Sequence, residues 1–150
     1  MQNALRTKIR ALLDGHRIMT VATLRPDGWP QATTVGYVND GDRLYFLCGL
    51  GSQKAANIAR DNRVSATIDR DTDDLMGITG LSMAAHAIRV ADRTEAARVL
   101  SLLPAKYPPD TRVPFAMPTP DEVAIFRLEP TVISVLDYTK GFGHTDLVKL

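Results

Sequence analysis

The chain has 150 residues, of which 45% are apolar and 23% charged, with a formal net charge of +1. This balance excludes a disordered chain and supplies no bulk charge for nucleic-acid binding. No apolar run reaches the roughly 20 residues that a membrane helix needs, and the charged stretch 1–14 does not read as a signal peptide. The one cysteine, Cys48, can form no internal disulfide, in keeping with a reducing compartment. The expectation is a single soluble, cytoplasmic domain over residues 1–150, long enough to bury a real core.

Leu5, Ile9 and Leu12–Leu13 recur at helical spacing and predict an amphipathic helix over 3–13, stopped at Gly15. The period then changes. Residues 18–24 are rich in β-branched side chains and end at Arg25-Pro26-Asp27-Gly28, which suits a type I turn. Residues 31–38 and 43–48 read as two further strands around Asn39-Asp40-Gly41-Asp42, giving a three-stranded antiparallel meander. Gly49-Leu50-Gly51 leads to Ser52, a natural N-cap for a short helix to Arg60. Residues 63–69 predict a fourth strand, 69–74 a charged loop, and 77–90 a long, bulged fifth strand.

Asp92 and Glu95 form a capping box for a helix over 94–103. Six of the nine prolines fall in 104–120, which predicts an irregular loop. Strands over 123–128 and 131–137 follow, divided by Glu129-Pro130, and 138–150 reads as a tail. About seven strands with three helices predict an α+β, mainly antiparallel β architecture: a closed or nearly closed barrel with short peripheral helices.

Three constellations carry chemistry. Gly49 to Lys54 combines glycines, a hydroxyl, a helix N-terminus and a first-turn lysine, which together make an anion site, phosphate above all. It is not a nucleotide-triphosphate P-loop, because the glycine–lysine spacing differs. Gln31, Thr33 and Thr34 place amide and hydroxyl groups on a strand, where they can bond a heteroaromatic edge. Gly141-Phe142-Gly143-His144 forms an aromatic clasp or, more plainly, a mobile tail. The three histidines have no metal-ligand spacing, Asp69, Asp71 and Asp73 lack the glycine and glutamate of a calcium loop, and no side chain stands out as a catalytic acid or base.

Taken in order, these pieces resemble a known superfamily. They are Val21-Ala22-Thr23-Leu24, Pro26-Asp27-Gly28 with Pro30, Thr33-Thr34-Val35, Asp40-Gly41, Leu44-Tyr45-Phe46, Ser52 with Lys54, Asn57-Ile58 and Asn62 with Val64. The order is similar to that of the pyridoxamine 5′-phosphate oxidase-like proteins, which are FMN-binding split β-barrels. Gly80-Leu81-Ser82-Met83-Ala84-Ala85 and Lys140-Gly141-Phe142-Gly143-His144 resemble a small bacterial branch of it.

The resemblance implies a split barrel, a homodimer with cofactor sites at the interface, and flavin redox chemistry on a small molecule. It implies Thr33, Thr34 and Val35 at the isoalloxazine ring, and Phe46, Leu47 and Cys48 beside the ribityl chain. Ser52, Gln53 and Lys54 would hold the phosphate, with Ser82, Met83 and Phe142 arriving from the partner chain. Two departures argue against vitamin B6 oxidation: no arginine follows Tyr138, and Gln53 stands where an arginine usually accompanies the lysine. A deazaflavin is the alternative cofactor, ranked lower because no basic run lines the barrel strands. A non-enzymatic flavin-storage, redox-sensing or haem-binding role is the other reading, with His86 and His144 as the axial candidates.

Overall fold

The computed structural model describes residues 2–109 and 116–150. Residues 110–115 of the expected irregular loop lie outside the described residues. The element order is α1 (Gln2–Gly15), β1 (Ile18–Leu24), β2 (Pro30–Asp40), β3 (Arg43–Gly49), α2 (Gln53–Arg60), β4 (Arg63–Asp69), β5 (Thr79–Arg89), α3 (Arg93–Ser101), α4 (Leu103–Lys106), β6 (Val123–Asp137) and β7 (Thr145–Lys149). Short 3-10 turns occupy Leu75–Gly77 and Tyr138–Lys140.

All strand pairings are antiparallel, and the strands run in the order β3-β2-β1-β4-β5-β6-β7. A further pairing of β3 with β6 closes the first six strands into a barrel and leaves β7 outside it. The fold is an α+β split barrel. Closure satisfies backbone groups that an open sheet would leave unpaired at its edges. No helix is long and apolar enough to cross a membrane.

Strand alternation produces the core. Val64, Ala66 and Ile68 of β4 point inward while Arg63, Ser65, Thr67 and Asp69 stay exposed. Val21, Tyr37, Phe46, Ile68 and Val135 are all 0% exposed. Phe46 stacks on Phe126 with ring centroids 5.4 Å apart. Helix α1 lays Ile9 and Leu13 on this core. Gly80 is required by close packing, since a Cβ there would lie 2.4 Å from the Ile68 carbonyl oxygen.

Two expectations change at the C-terminal end. The strands predicted over 123–128 and 131–137 are one continuous β6. Pro130 is tolerated because it sits at a bulge. Ala85 pairs with Pro130 and Ala84 with Val132, leaving Thr131 as the extra residue, its hydroxyl donating to the Ala84 carbonyl. At the same place β6 exchanges neighbours, from β3 (up to Leu128) to β7 (from Val132). The expected tail is likewise structured: residues 145–149 form β7 along β6. Within the proline-rich stretch, Leu103–Lys106 makes a helical turn with Pro104 in its first turn.

Candidate functional site

Helices α1 and α2 touch opposite ends of β2, and the candidate site forms where α2 meets the start of that strand. Ser52 caps α2 by accepting a hydrogen bond from the Ala55 amide at 3.2 Å. Lys54, the second residue of α2, reaches back over β2, where its Nζ donates to Thr33 Oγ1 at 2.6 Å. The hydroxyl accepts that bond, so its own proton is free for a further acceptor. A cation, a hydroxyl and a helix N-terminus thus converge at one corner, which is chemistry suited to an anion.

Below the corner lies a neutral network. The Asn57 side chain accepts from Gln53 Nε2 at 2.8 Å and donates to Thr23 Oγ1 at 3.0 Å and to Gln31 Oε1 at 3.3 Å. Asn57 is 0% exposed and Thr23 1%. A buried amide of this kind needs its partners, and here every polar end has one. The sequence reading missed Asn57 and Thr23 as members of the site. The i, i+4 spacing of Gln53 and Asn57 on α2 was the available signal for half of the network.

The residues expected to hold a cofactor fall into separate surroundings. Thr33, Ser52, Gln53 and Lys54 gather at the α2 corner. Strand alternation sends Thr34 to the opposite face of β2 from Thr33 and Val35, and Val35 is buried in the core. The Phe46 ring is enclosed by the core, and the residue is 0% exposed. Leu47 and Cys48 are half-buried at the end of β3, opposite Ile125 and Ala124. Met83 is turned inward, 4% exposed, against the core. Ser82 faces outward and joins a row of hydroxyls across five strands, Thr34–Thr20–Thr67–Ser82–Ser134. Phe142 is 72% exposed and meets the Tyr138 ring edge-on, with centroids 5.6 Å apart.

The loop that bears Phe142 is pinned on both sides. The Asp137 amide donates to the His144 carbonyl at 3.0 Å, and the Tyr138 amide to the Ile78 carbonyl at 2.9 Å. The Asp137 carboxylate accepts from Lys8 and from the Thr139 hydroxyl and amide. Lys8 above all holds its pKa down at about 2, with Thr139 adding to the effect. The imidazole of His144 is oriented by Asp146 at 3.1 Å, through Nε2. His86 contacts Asn62 through Nδ1 at 2.9 Å and is exposed. Among the described residues no group of three or more His, Cys, Asp or Glu side chains converges as a metal site.

The amino-acid sequence matches the pyridoxamine 5′-phosphate oxidase family over residues 5–137. The chain belongs to that family. No curated protein sequence matches it. Among solved structures, the conserved hypothetical protein Rv2991 of Mycobacterium tuberculosis superposes with a TM-score of 0.77 at 24% identity, covering 93% of this chain and 89% of that one. General Stress Protein 26 of Bacillus anthracis gives 0.71 at 17%, over 97% and 98% of the two chains. A haem-binding protein of Mycobacterium smegmatis gives 0.73 at 19%, over 96% of this chain and 57% of that one. At these identities the superpositions establish the barrel and leave the ligand open.

Proposed function

We propose that this family member is an FMN-binding flavoprotein, an oxidoreductase acting on a small molecule, and a cytoplasmic homodimer with its two cofactor sites at the subunit interface. The observation that carries the reading is the Lys54 amine seated on the Thr33 hydroxyl beside the capped start of α2. The donors there fit a phosphate group: one cation, one free hydroxyl proton and the first amides of a helix. When bound, the flavin supplies the redox chemistry. The chain's own residues bind and orient it, with Lys54, Thr33 and Ser52 on the phosphate. The hydroxyls of Thr34 and Ser82 lie on the outer face of the barrel, the face that a second copy would cover. Phe142, exposed on a pinned loop, is the aromatic that one protomer would present to the other's site.

The test is the visible spectrum of the purified protein, before and after addition of FMN, with mass identification of whatever is released. Flavin absorbance and quenched flavin fluorescence are the expected results. Absence of both after reconstitution rejects the reading, and a deazaflavin mass corrects the cofactor. A haem role is the second reading, supported by the likeness to the haem-binding structure and by an imidazole at His144 whose orientation is fixed by Asp146. A Soret band on adding haemin that disappears in His144→Ala would favour it.

A further inference from the structure

The amide network at the α2 corner bears on how a phosphate is gripped by a chain that lacks the arginine usually paired with its lysine. Asn57 is fully enclosed and joins the two glutamines through the two ends of its amide. Its Oδ1 takes an N–H of Gln53, and its Nδ2 gives its protons to Thr23 and to the Gln31 carbonyl oxygen. In this arrangement both N–H groups of Gln31 are without an acceptor among the described residues. Gln31 and Thr33 are two residues apart on β2 and lie on one face of it. Thr33 in turn carries Lys54. The amide of Gln31, the hydroxyl of Thr33 and the ammonium that rests on it thus belong to side chains on or over one face of β2. Gln53 stands on the other side of Asn57, exposed, with one N–H already committed.

We propose that Gln31, and not Gln53, is a further phosphate-binding side chain of the site, and that Asn57 is the residue positioning it. The assignment rests on the FMN reading and deepens it. The arginine missing from α2 is replaced by a neutral donor from β2. The phosphate is held by one full charge, with neutral donors from Thr33, Gln31 and the start of α2.

Titration of FMN and of riboflavin, followed by quenching of flavin fluorescence, tests this on the whole protein. Riboflavin lacks the phosphate and so reports on the fold and on the ring site in each variant. Gln31→Glu keeps the acceptor for Asn57 but sets a carboxylate oxygen where the amide donor stood. It should raise the Kd for FMN about 10- to 100-fold while moving that for riboflavin less than about threefold. Gln31→Ala should raise the FMN value by a smaller factor, about 5-fold. Gln53→Ala should raise the FMN value less than either Gln31 variant does. Unchanged FMN affinity in both Gln31 variants overturns the assignment, as does an equal loss for the two flavins or a greater loss in Gln53→Ala. A wild-type protein that binds neither flavin overturns the cofactor reading and this assignment with it.

Discussion

The two helices that meet opposite ends of β2 treat their charges differently. On α1, each interior cation has a carboxylate: Arg6 and Arg10 share Asp42 at 2.9 and 3.2 Å, and Lys8 reaches Asp137. Between them Ile9 and Leu13 seal the core. On α2, Lys54 has a hydroxyl for its partner, and the buried face of the helix sets the Asn57 amide beside Ala55 and Ile58. A cation paired with a carboxylate has little attraction left for a ligand; one resting on a hydroxyl retains most of it. The contrast separates an end whose cations are neutralised within the fold from an end whose lysine keeps its charge uncompensated by a carboxylate among the described residues.

Perturbing the two ends should break this contrast in a graded way. The largest effect is expected at Asn57. Asn57→Leu removes the hub, leaves Thr23 without its donor inside the protein, and should cost roughly 2–4 kcal/mol of stability in chemical denaturation. A change below 1 kcal/mol would show that the buried network is not what anchors α2. Next comes Lys54→Ala, expected to weaken FMN by about 1–3 kcal/mol in titration while leaving the melting temperature nearly unchanged. Unchanged FMN affinity would remove Lys54 from the phosphate.

Smaller effects are expected at the α1 end. Asp137 has its pKa lowered to about 2, chiefly by Lys8. Its folded-state value thus lies below the ordinary unfolded carboxylate value of about 3.9. The stability it contributes is fully present above that unfolded value and is lost as pH falls through about 2. Lys8→Met should cost roughly 1 kcal/mol at neutral pH, discounted for solvent screening, and the difference from wild type should vanish toward pH 2. Denaturation curves that differ equally at pH 7 and pH 2 would contradict this. The least change is expected in Arg6→Ala, about 0–1 kcal/mol and smaller still in high salt, because that pair is solvent-exposed. A larger, salt-independent loss would mean that Arg6 contributes by packing.

Much of the barrel was legible because local chemistry announces it. The turn at Arg25-Pro26-Asp27-Gly28 forms as read, with Gly28 at φ 85° and its amide donating to the Arg25 carbonyl. Gly41, at φ 63°, closes the next turn. The Ser52 cap and the Asp92 cap are both made. Pro130 misled the reading because a proline normally ends a strand, and only the bulge opposite Ala84 and Ala85 makes it harmless. Strand β7 was hidden because Val148 is its single buried residue, too little for an alternating pattern to register.

For the site, the sequence by itself determined the types and the neighbours: a hydroxyl cap, a first-turn lysine, and a threonine- and glutamine-bearing strand. It also carried the family match through the order of its turns. Tertiary structure alone decided how these side chains divide. It set Thr33 under Lys54 while sending Thr34 to the outer face, closed Phe46 and Met83 into the core, and joined Asn57 to Thr23 and Gln31 across 34 and 26 residues of chain. Turns and caps are settled by residues a few positions apart. Barrel closure and a buried amide network depend on which distant strands come to lie side by side, and that is a property of the whole packed chain.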